Sequence, residues 1–279
     1  MRVKGWIFGV AALALVVCGC DGDGKAARAR LDKAREMYAT NDLFGAKNEI
    51  DSIRALYPKE VDVLRESLSL MREVELREAE RNIAYCDSML PIKEAEAAEL
   101  TKRFTFEKDS VYEEVGNYIW KQQTIERNVQ RCYIRCGVSE KGEMYLASVY
   151  FGGHPISHTG IRLSLKDGQF ATTASIPFDG GLNYRFKDMG NTTEVVTYKG
   201  ENGMEAIKFI YVNQKERIKV EYTGGKPYVI YIADGDKRAI VATYDLATVL
   251  SDVENMRTLK AKSEKKIAYL KAKLTNDGE

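Results

Sequence analysis

Hydrophobic residues recur with a helical period from Lys25 to about Phe104. Glycine is rare in this stretch, and the strong helix formers Ala, Leu, Arg, Glu and Lys dominate it. Asn41-Asp42, a turn and helix-cap signal, separates two short apolar faces, and Pro58 closes the second. The faces consist of Leu31, Ala34 and Tyr38, and of Ala46, Ile50 and Ile53. Residues 25–104 are therefore predicted to be helical and to begin with a helical hairpin.

A long helix is predicted after the hairpin, from Lys59 to Leu90. Leu76, Ile83 and Leu90 recur at a heptad spacing, which makes a seam for a partner helix. Pro91 is expected to kink or interrupt this helix. The hairpin resembles one degenerate tetratricopeptide-type pair, and such repeats generally need about three copies to stand alone. Since we find no second copy, we expect a hairpin that packs on the long helix.

The pattern changes over residues 105–245 to an alternation of apolar and polar positions, rich in aromatic and β-branched side chains. The clearest turn signal is Lys166-Asp167-Gly168, where Asp-Gly predicts a type I′ turn. Glu201-Asn202-Gly203 is interpreted as a similar turn between the strands Glu194–Tyr198 and Ala206–Tyr211. Many short strands with turns at this spacing predict an antiparallel β domain, either a sandwich or a barrel.

The helical period returns over residues 246–279, and Leu250, Val253 and Met256 lie on its apolar stripe. An amphipathic helix of this length must bury its stripe, and the long helix before the β region has the complementary need. We therefore expect the two helices to form an antiparallel stalk in which both stripes are substantially buried. The predicted fold class is α+β: a helical hairpin and an antiparallel helical stalk with an inserted antiparallel β sandwich or barrel.

The first residues of the chain have a different composition. Arg2 and Lys4 precede an uncharged stretch that ends in Val17-Cys18-Gly19-Cys20. This stretch is shorter than the about 20 apolar residues of a membrane-spanning helix, and its length and flanks are typical of a signal peptide. Its end resembles the bacterial lipobox: an aliphatic residue, a loosely restricted position, Gly or Ala, then Cys. The resemblance implies a signal peptide over 1–19, lipid on Cys20 as the mature N-terminus, and a lipidated tether over 20–24.

The whole arrangement also has a resemblance. The lipobox, the helical N-terminal half, the β region that starts at 104–109 (FTFEKD) and the charged C-terminal helix together resemble uncharacterised lipoproteins of Bacteroidota. The resemblance implies export and anchoring in the cell envelope through the N-terminal lipid, and it implies no activity. In enteric bacteria an Asp after the lipidated Cys marks inner-membrane retention, whereas in Bacteroidota acidic residues there mark surface export. We favour the outer membrane or the cell surface.

Composition and spacing give few signs of chemistry. The net charge of +1 gives no reason to expect nucleic acid as a partner. His154 and His158 lie in one Gly- and Pro-containing loop, where Ser157 or Asp179 could complete a hydrolase site. However, no Gly-x-Ser-x-Gly motif presents a serine, so we interpret both histidines as polar loop residues. No spacing is typical of a metal site, and we predict no catalytic residue and no cofactor.

The aromatic residues of the β region point to binding. Alternation places half of them in the core and half on an outward surface, where Tyr and Trp favour interfaces. Trp120, His154, His158 and Tyr184 are the candidate ligand or partner surface. The predicted function is a non-enzymatic binding or scaffolding lipoprotein that meets a protein or a glycan. The alternative is an envelope hydrolase that acts on glycan or cell-wall material through the β domain.

Overall fold

A computed structural model describes residues 20–108 and 114–276 of the chain and has an α+β fold. The predicted signal peptide, 1–19, lies outside the described residues. The chain divides into two compact units, a larger one from Ala84 to Ala261 and a smaller one from the described residues before and after it. The helices of the described part are α1 (Cys20–Ala39), α2 (Leu43–Leu56), α3 (Val61–Thr101), α4 (Glu201–Val212) and α5 (Asp234–Asn276).

The smaller unit contains the predicted helical hairpin, formed by α1 and α2. Asp42 caps α2, because its carboxylate accepts a hydrogen bond from the Gly45 amide at 2.9 Å. The hairpin packs on the first part of α3, and one buried cluster joins the three helices. Arg28 and Arg35 of α1 both bind Glu66 of α3. The predicted faces of the hairpin are confirmed in this cluster, whose members include Leu31, Ala34, Ala46, Ile50 and Ile53.

The start of α1 differs from the expected tether over 20–24. Helical backbone begins at Cys20, because the strong helix formers after Lys25 extend the helix backwards and acidic residues such as Asp23 suit a helix N-terminus. The side chain of Cys20 lies outside the described residues.

Segments of α3 and α5 lie side by side in each unit. In the smaller unit Glu75 pairs with Lys266. In the larger unit the order of the ion pairs shows that the segments are antiparallel, as predicted, because later residues of α3 meet earlier residues of α5. These pairs are Asp87–Lys260, Glu94–Arg257 and Lys93–Asp252.

The predicted stripes are only partly buried. Leu250 and Val253 of α5 are buried, whereas Met256 is half-buried. On α3 the expected Leu76, Ile83 and Leu90 are half-buried as well. The positions three residues after Leu76 and Ile83, Ala79 and Cys86, are buried instead, at 2% and 0% exposed.

Pro91 does not interrupt α3, which runs continuously from Val61 to Thr101. A proline removes only its own N–H from the helical ladder and frees the carbonyl one turn earlier, that of Asp87. Since Pro91 is exposed, water can hydrate this part of the helix and the break is avoided.

The larger unit contains two antiparallel sheets that do not close into a barrel in the described part of the chain. The six-stranded sheet has the order β1-β2-β3-β4-β8-β7, and the four-stranded sheet has the order β10-β9-β5-β6. One buried cluster contains side chains of both sheets, of α4 and of the first half of α5. The strands are β1 (Phe104–Glu107), β2 (Asn117–Trp120), β3 (Tyr133–Ser139), β4 (Met144–Gly152), β5 (Gly160–Ser164), β6 (Phe170–Thr172), β7 (Asn183–Asp188), β8 (Asn191–Lys199), β9 (Lys219–Thr223) and β10 (Tyr228–Tyr231).

Two predicted β segments are helical instead. Residues 201–212 form α4 rather than a turn and a strand, because their buried residues follow a helical spacing. The β region also ends earlier than residue 245, since α5 begins at Asp234 with two acidic residues in its first turn, where they suit the helix dipole. The buried residues of α4 are Gly203, Ala206, Ile207 and Ile210.

The hairpin at Lys166-Asp167-Gly168 forms as predicted, but its turn type was wrong. A type I′ turn needs two positive φ angles, and only Gly168, at φ +94°, has one. The Leu165 amide donates to the Gln169 carbonyl at 2.9 Å, which leaves three residues in the loop. The additional residue makes a wider connection that needs one left-handed position, and glycine occupies it.

Candidate functional site

An open groove of about 970 Å³ lies on the outward face of the six-stranded sheet. Its floor is formed by the interior strands β3, β4 and β8, and its rim by the β3–β4 turn and the start of α4. The volume is at the upper end of typical ligand pockets, which is about 1,000 Å³. Its lining includes Asn117, Arg135, Lys141, Glu143, Tyr145, Ala147, Tyr184, Thr197, Lys199 and Met204.

The groove exists because small residues on this face of the sheet lie between residues with long side chains. Ala147 of β4 pairs with Arg135 of β3 on one side and with Thr197 of β8 on the other. Gly137 pairs with Tyr145, and a Cβ added to this glycine would lie 2.6 Å from the tyrosine hydroxyl oxygen. The Tyr145 ring therefore lies against Gly137, and the groove is deepest near Ala147, where the side chain is short.

The rim of the groove depends on a glycine turn. Gly142, at φ +86°, ends the Glu140-Lys141-Gly142 turn between β3 and β4. A Cβ on Gly142 would lie 2.3 Å from the Ser251 backbone nitrogen of α5. Only glycine allows this approach, which places Lys141 and Glu143 at the groove.

The Arg135 guanidinium is the main charge of the groove floor. Its side chain is 16% exposed, and its Nη2 atom lies 3.7 Å from the Glu107 carboxylate, beyond hydrogen-bond distance. Arg135 Nε is buried and has no hydrogen-bond partner among the described residues. Burial raises the pKa of the neighbouring Tyr145 to about 12, although the charge of Arg135 acts to lower it. Tyr145 is therefore a neutral hydroxyl beside a permanent cation.

Four polar side chains form a hydrogen-bonded chain on the opposite face of the same sheet. Ser148 Oγ lies 2.9 Å from His158 Nε2 and 2.9 Å from the Tyr198 hydroxyl oxygen. His158 Nδ1 lies 2.9 Å from Glu194 Oε2. We call Tyr198, Ser148, His158 and Glu194 the buried polar chain. It connects β4 and β8 to the loop that precedes β5.

Glu194 is the charged end of the buried polar chain. Its carboxylate also accepts hydrogen bonds from the backbone amides of Ser157, at 2.8 Å, and of His158, at 3.2 Å. Burial acts to raise the pKa of Glu194, but these bonds and the one from the His158 ring outweigh it, so the pKa is lowered. The Glu194 carboxylate can only accept, so His158 Nδ1–H donates a hydrogen bond to it, and in the neutral ring Nε2 then accepts a hydrogen bond from the Ser148 hydroxyl.

The order serine, histidine, carboxylate is that of a hydrolase triad, but here the serine is not accessible to a substrate. A nucleophile must meet its substrate, and the Ser148 residue is 0% exposed. The Tyr222 ring also closes over His158, edge to face, with ring centroids 4.8 Å apart. In this state the buried polar chain ties strands together and cannot receive a substrate.

The structure separates the four residues of the predicted surface. Tyr184 lines the groove, and His154 is exposed on the loop after β4. The surface assignment of His158 was wrong, because the residue is 2% exposed and both ring nitrogens have partners inside the unit. Trp120 is half-buried and packs edge to face on Phe104, with centroids 5.3 Å apart.

Sequence reasoning missed the residues at the centre of both sites, Arg135, Ser148 and Glu194. Each is a polar residue within an apolar strand, and this signal was present in the sequence. Their partners come from distant parts of the chain, and pairing could not be read from spacing.

Residues 20–108 and 114–276 contain neither a metal-binding cluster nor a membrane-spanning helix. No group of three or more His, Cys, Asp or Glu side chains in these ranges could hold a metal ion. None of the helices there combines the length and the apolar character that crossing a bilayer requires. Comparisons with models of known protein families, with curated proteins and with solved structures found no match to this chain.

Proposed function

We propose that this chain is a lipid-anchored protein of the cell envelope that acts by binding, without catalysis, and that the groove is its binding site. The observation that supports binding most is the groove itself, an open depression with aromatic and charged walls. A protein or a glycan is the partner. The groove lies on the face of the sheet, so a large partner can reach it from solvent.

Support for the anchor comes from the N-terminal sequence, with its basic start, short apolar stretch and Val17-Cys18-Gly19-Cys20 end. A single acyl chain holds a protein only marginally, whereas the two or three chains of a bacterial lipoprotein hold it firmly. Together with the resemblance to lipoproteins of Bacteroidota, the acidic residues after Cys20 favour the outer membrane or the cell surface over the inner membrane.

Replacing Cys20 with alanine is expected to abolish lipid attachment and to leave much of the precursor uncleaved at this site. The physical reason is that the lipid is attached to this sulfur atom. Metabolic labelling with an alkyne fatty acid, followed by gel analysis, measures the result. Cys18→Ala is the matched control and should keep the label. Equal labelling of the Cys20→Ala variant and the parent protein would contradict the anchor.

An envelope hydrolase is the second candidate, and the Ser148–His158–Glu194 geometry is the observation that favours it. This function requires a movement that exposes Ser148 Oγ, which is fully enclosed by its neighbours. Covalent labelling of Ser148 by a fluorophosphonate would be its signature. We favour binding, because the groove is already open and the serine is not.

Occupancy of the groove can be tested in native membranes with a photo-crosslinking benzophenone residue in place of Tyr184. We expect an adduct there, because Tyr184 lines the groove. The control is the same replacement at Tyr231, which is 50% exposed on the edge strand β10 of the other sheet. Gel mobility after protease or glycosidase treatment identifies the class of partner. Equal adduct formation at both positions, or none at Tyr184, would count against binding in the groove.

A further inference from the structure

The incomplete pairing of Arg135 points to the class of ligand that the groove binds. We propose, on the basis of the binding function above, that the groove takes a carboxylate-bearing glycan and that Arg135 holds the carboxylate. The proposal rests on the state of the guanidinium, on the charges that line the groove, and on an aromatic side chain at its β7 side.

The guanidinium lacks the acceptors that a mostly buried arginine normally has. Its Nε atom is buried without a partner among the described residues, and its ion pair with Glu107 is long, at 3.7 Å. A buried donor without an acceptor is costly, so native proteins rarely keep one without a reason. Carboxylates match the planar fork of a guanidinium and accept two parallel hydrogen bonds from it. A ligand carboxylate would supply what Arg135 lacks.

The charges that line the groove are mixed, with one more basic residue than acidic. Three of the lining residues are basic, Arg135, Lys141 and Lys199, and two are acidic, Glu114 and Glu143. Lys199 pairs with Tyr145 across β8 and β4, so it lies on the same face as Arg135. The basic residues would attract an anionic ligand and orient its charged groups towards β3 and β8.

The floor of the groove favours a glycan over an extended peptide. Strands β4 and β8 have neighbours on both sides, whereas β3 pairs with β2 only at Val138 and Ser139. The Gln123 side chain bonds the backbone of Ile134 and Cys136 along the rest of that edge, so the floor offers little free backbone for an added peptide strand. Recognition must therefore use side chains. Tyr184 of β7 lines the groove, and the neighbouring Phe186, which lies outside the lining, has a nearly parallel ring, at 16°, and is 51% exposed. Flat aromatic faces of this kind can pack against the C–H groups of a sugar ring.

The test measures binding to the full-length lipidated protein in detergent by isothermal titration calorimetry. The probes are short oligomers of galacturonate, of alginate uronates and of fully methyl-esterified galacturonate. We expect an acidic oligomer to bind and the methyl ester to bind at least about tenfold more weakly, because it has lost the charge-assisted hydrogen bonds. Arg135→Gln should weaken the acidic oligomer by a similar factor, and Arg135→Lys should restore part of the affinity.

Two controls keep this test decisive. Arg217→Gln removes an exposed arginine that lies over the Tyr231 ring, at 4.0 Å, and should leave the affinity unchanged. Unchanged circular dichroism of the Arg135 variants would show that they fold.

Several results would overturn the proposal. Equal binding of acid and ester, or unchanged affinity of Arg135→Gln, would remove Arg135 from recognition. Tighter binding of an oligoglutamate peptide than of any acidic oligomer would identify a peptide groove instead. If no acidic oligomer binds, the acidic-glycan proposal fails, whereas crosslinking at Tyr184 still reports separately whether the groove is occupied.

Discussion

Replacing Glu194 with alanine is expected to lower the free energy of unfolding by about 3–5 kcal/mol, because three donors lose a charged acceptor and each donor left unsatisfied costs about 1–3 kcal/mol. The Glu194 side chain is 3% exposed and accepts three hydrogen bonds, from the His158 ring and from two backbone amides. Alanine leaves the two His158 donors buried without an acceptor and the Ser157 amide part-buried without one. Urea unfolding at neutral pH measures the loss. Glu205→Ala, at an exposed position of α4, is the matched control and should change stability by less than about 0.5 kcal/mol.

The same contribution should depend on pH with a definite sign. The pKa of Glu194 is lower in the folded protein than the ordinary value of about 4.3 for a glutamate. Its stabilisation is therefore complete above the ordinary pKa and is lost as the pH falls through the lower, folded-state pKa. The gap in unfolding free energy between the parent protein and Glu194→Gln should narrow on acidification below about pH 4. A constant gap, or a loss below 1 kcal/mol for Glu194→Ala, would mean that the buried polar chain contributes little.

Replacing Leu250 with aspartate is expected to cost about 4 kcal/mol and to lower the melting temperature clearly. Leu250 of α5 belongs to the buried cluster of the larger unit and is 8% exposed. The change removes apolar burial and encloses a carboxylate among apolar neighbours. Thermal unfolding followed by circular dichroism measures the shift.

The control for Leu250→Asp is the same substitution at Thr258, which is exposed on the same helix. It introduces the same charge into the same helix, and the helix propensity that only Leu250→Asp loses is at most about 0.7 kcal/mol, so a larger difference between the two variants reports burial. Similar melting temperatures for the two variants would contradict the burial of the α5 stripe.

The helical hairpin could be predicted because its caps and faces are local. Asp42 and the apolar faces of α1 and α2 act over a few residues, and tertiary contacts agree with them. The assignment of residues 201–212 failed because Asn202-Gly203 is also a turn signal and because short apolar runs fit either period. Packing determined that this segment is helical, because Ala206, Ile207 and Ile210 all reach the core only when they are on one helix.

The sites were less accessible to sequence reasoning than the fold. Ser148 and Glu194 are separated from each other along the chain, and only the pairing of β4 with β8 brings them into one sheet. The alternation of β8 places Glu194 on the same face as Val196 and Tyr198, which is a signal that a charged residue points into a core. The partner that explains it, His158, lies in a loop, where neither period nor spacing predicts orientation.

The pairing of α3 with α5 in the larger unit has a consequence for the order of folding. Glu94 and its partner Arg257 are 163 residues apart in the sequence, so this contact has a very high contact order. The α3 segment of this contact is synthesised long before the α5 segment that packs on it. It must therefore avoid aggregation until the last part of the chain has been made. Premature termination anywhere in the β region would leave this surface without its partner, a state that chaperones and proteases recognise.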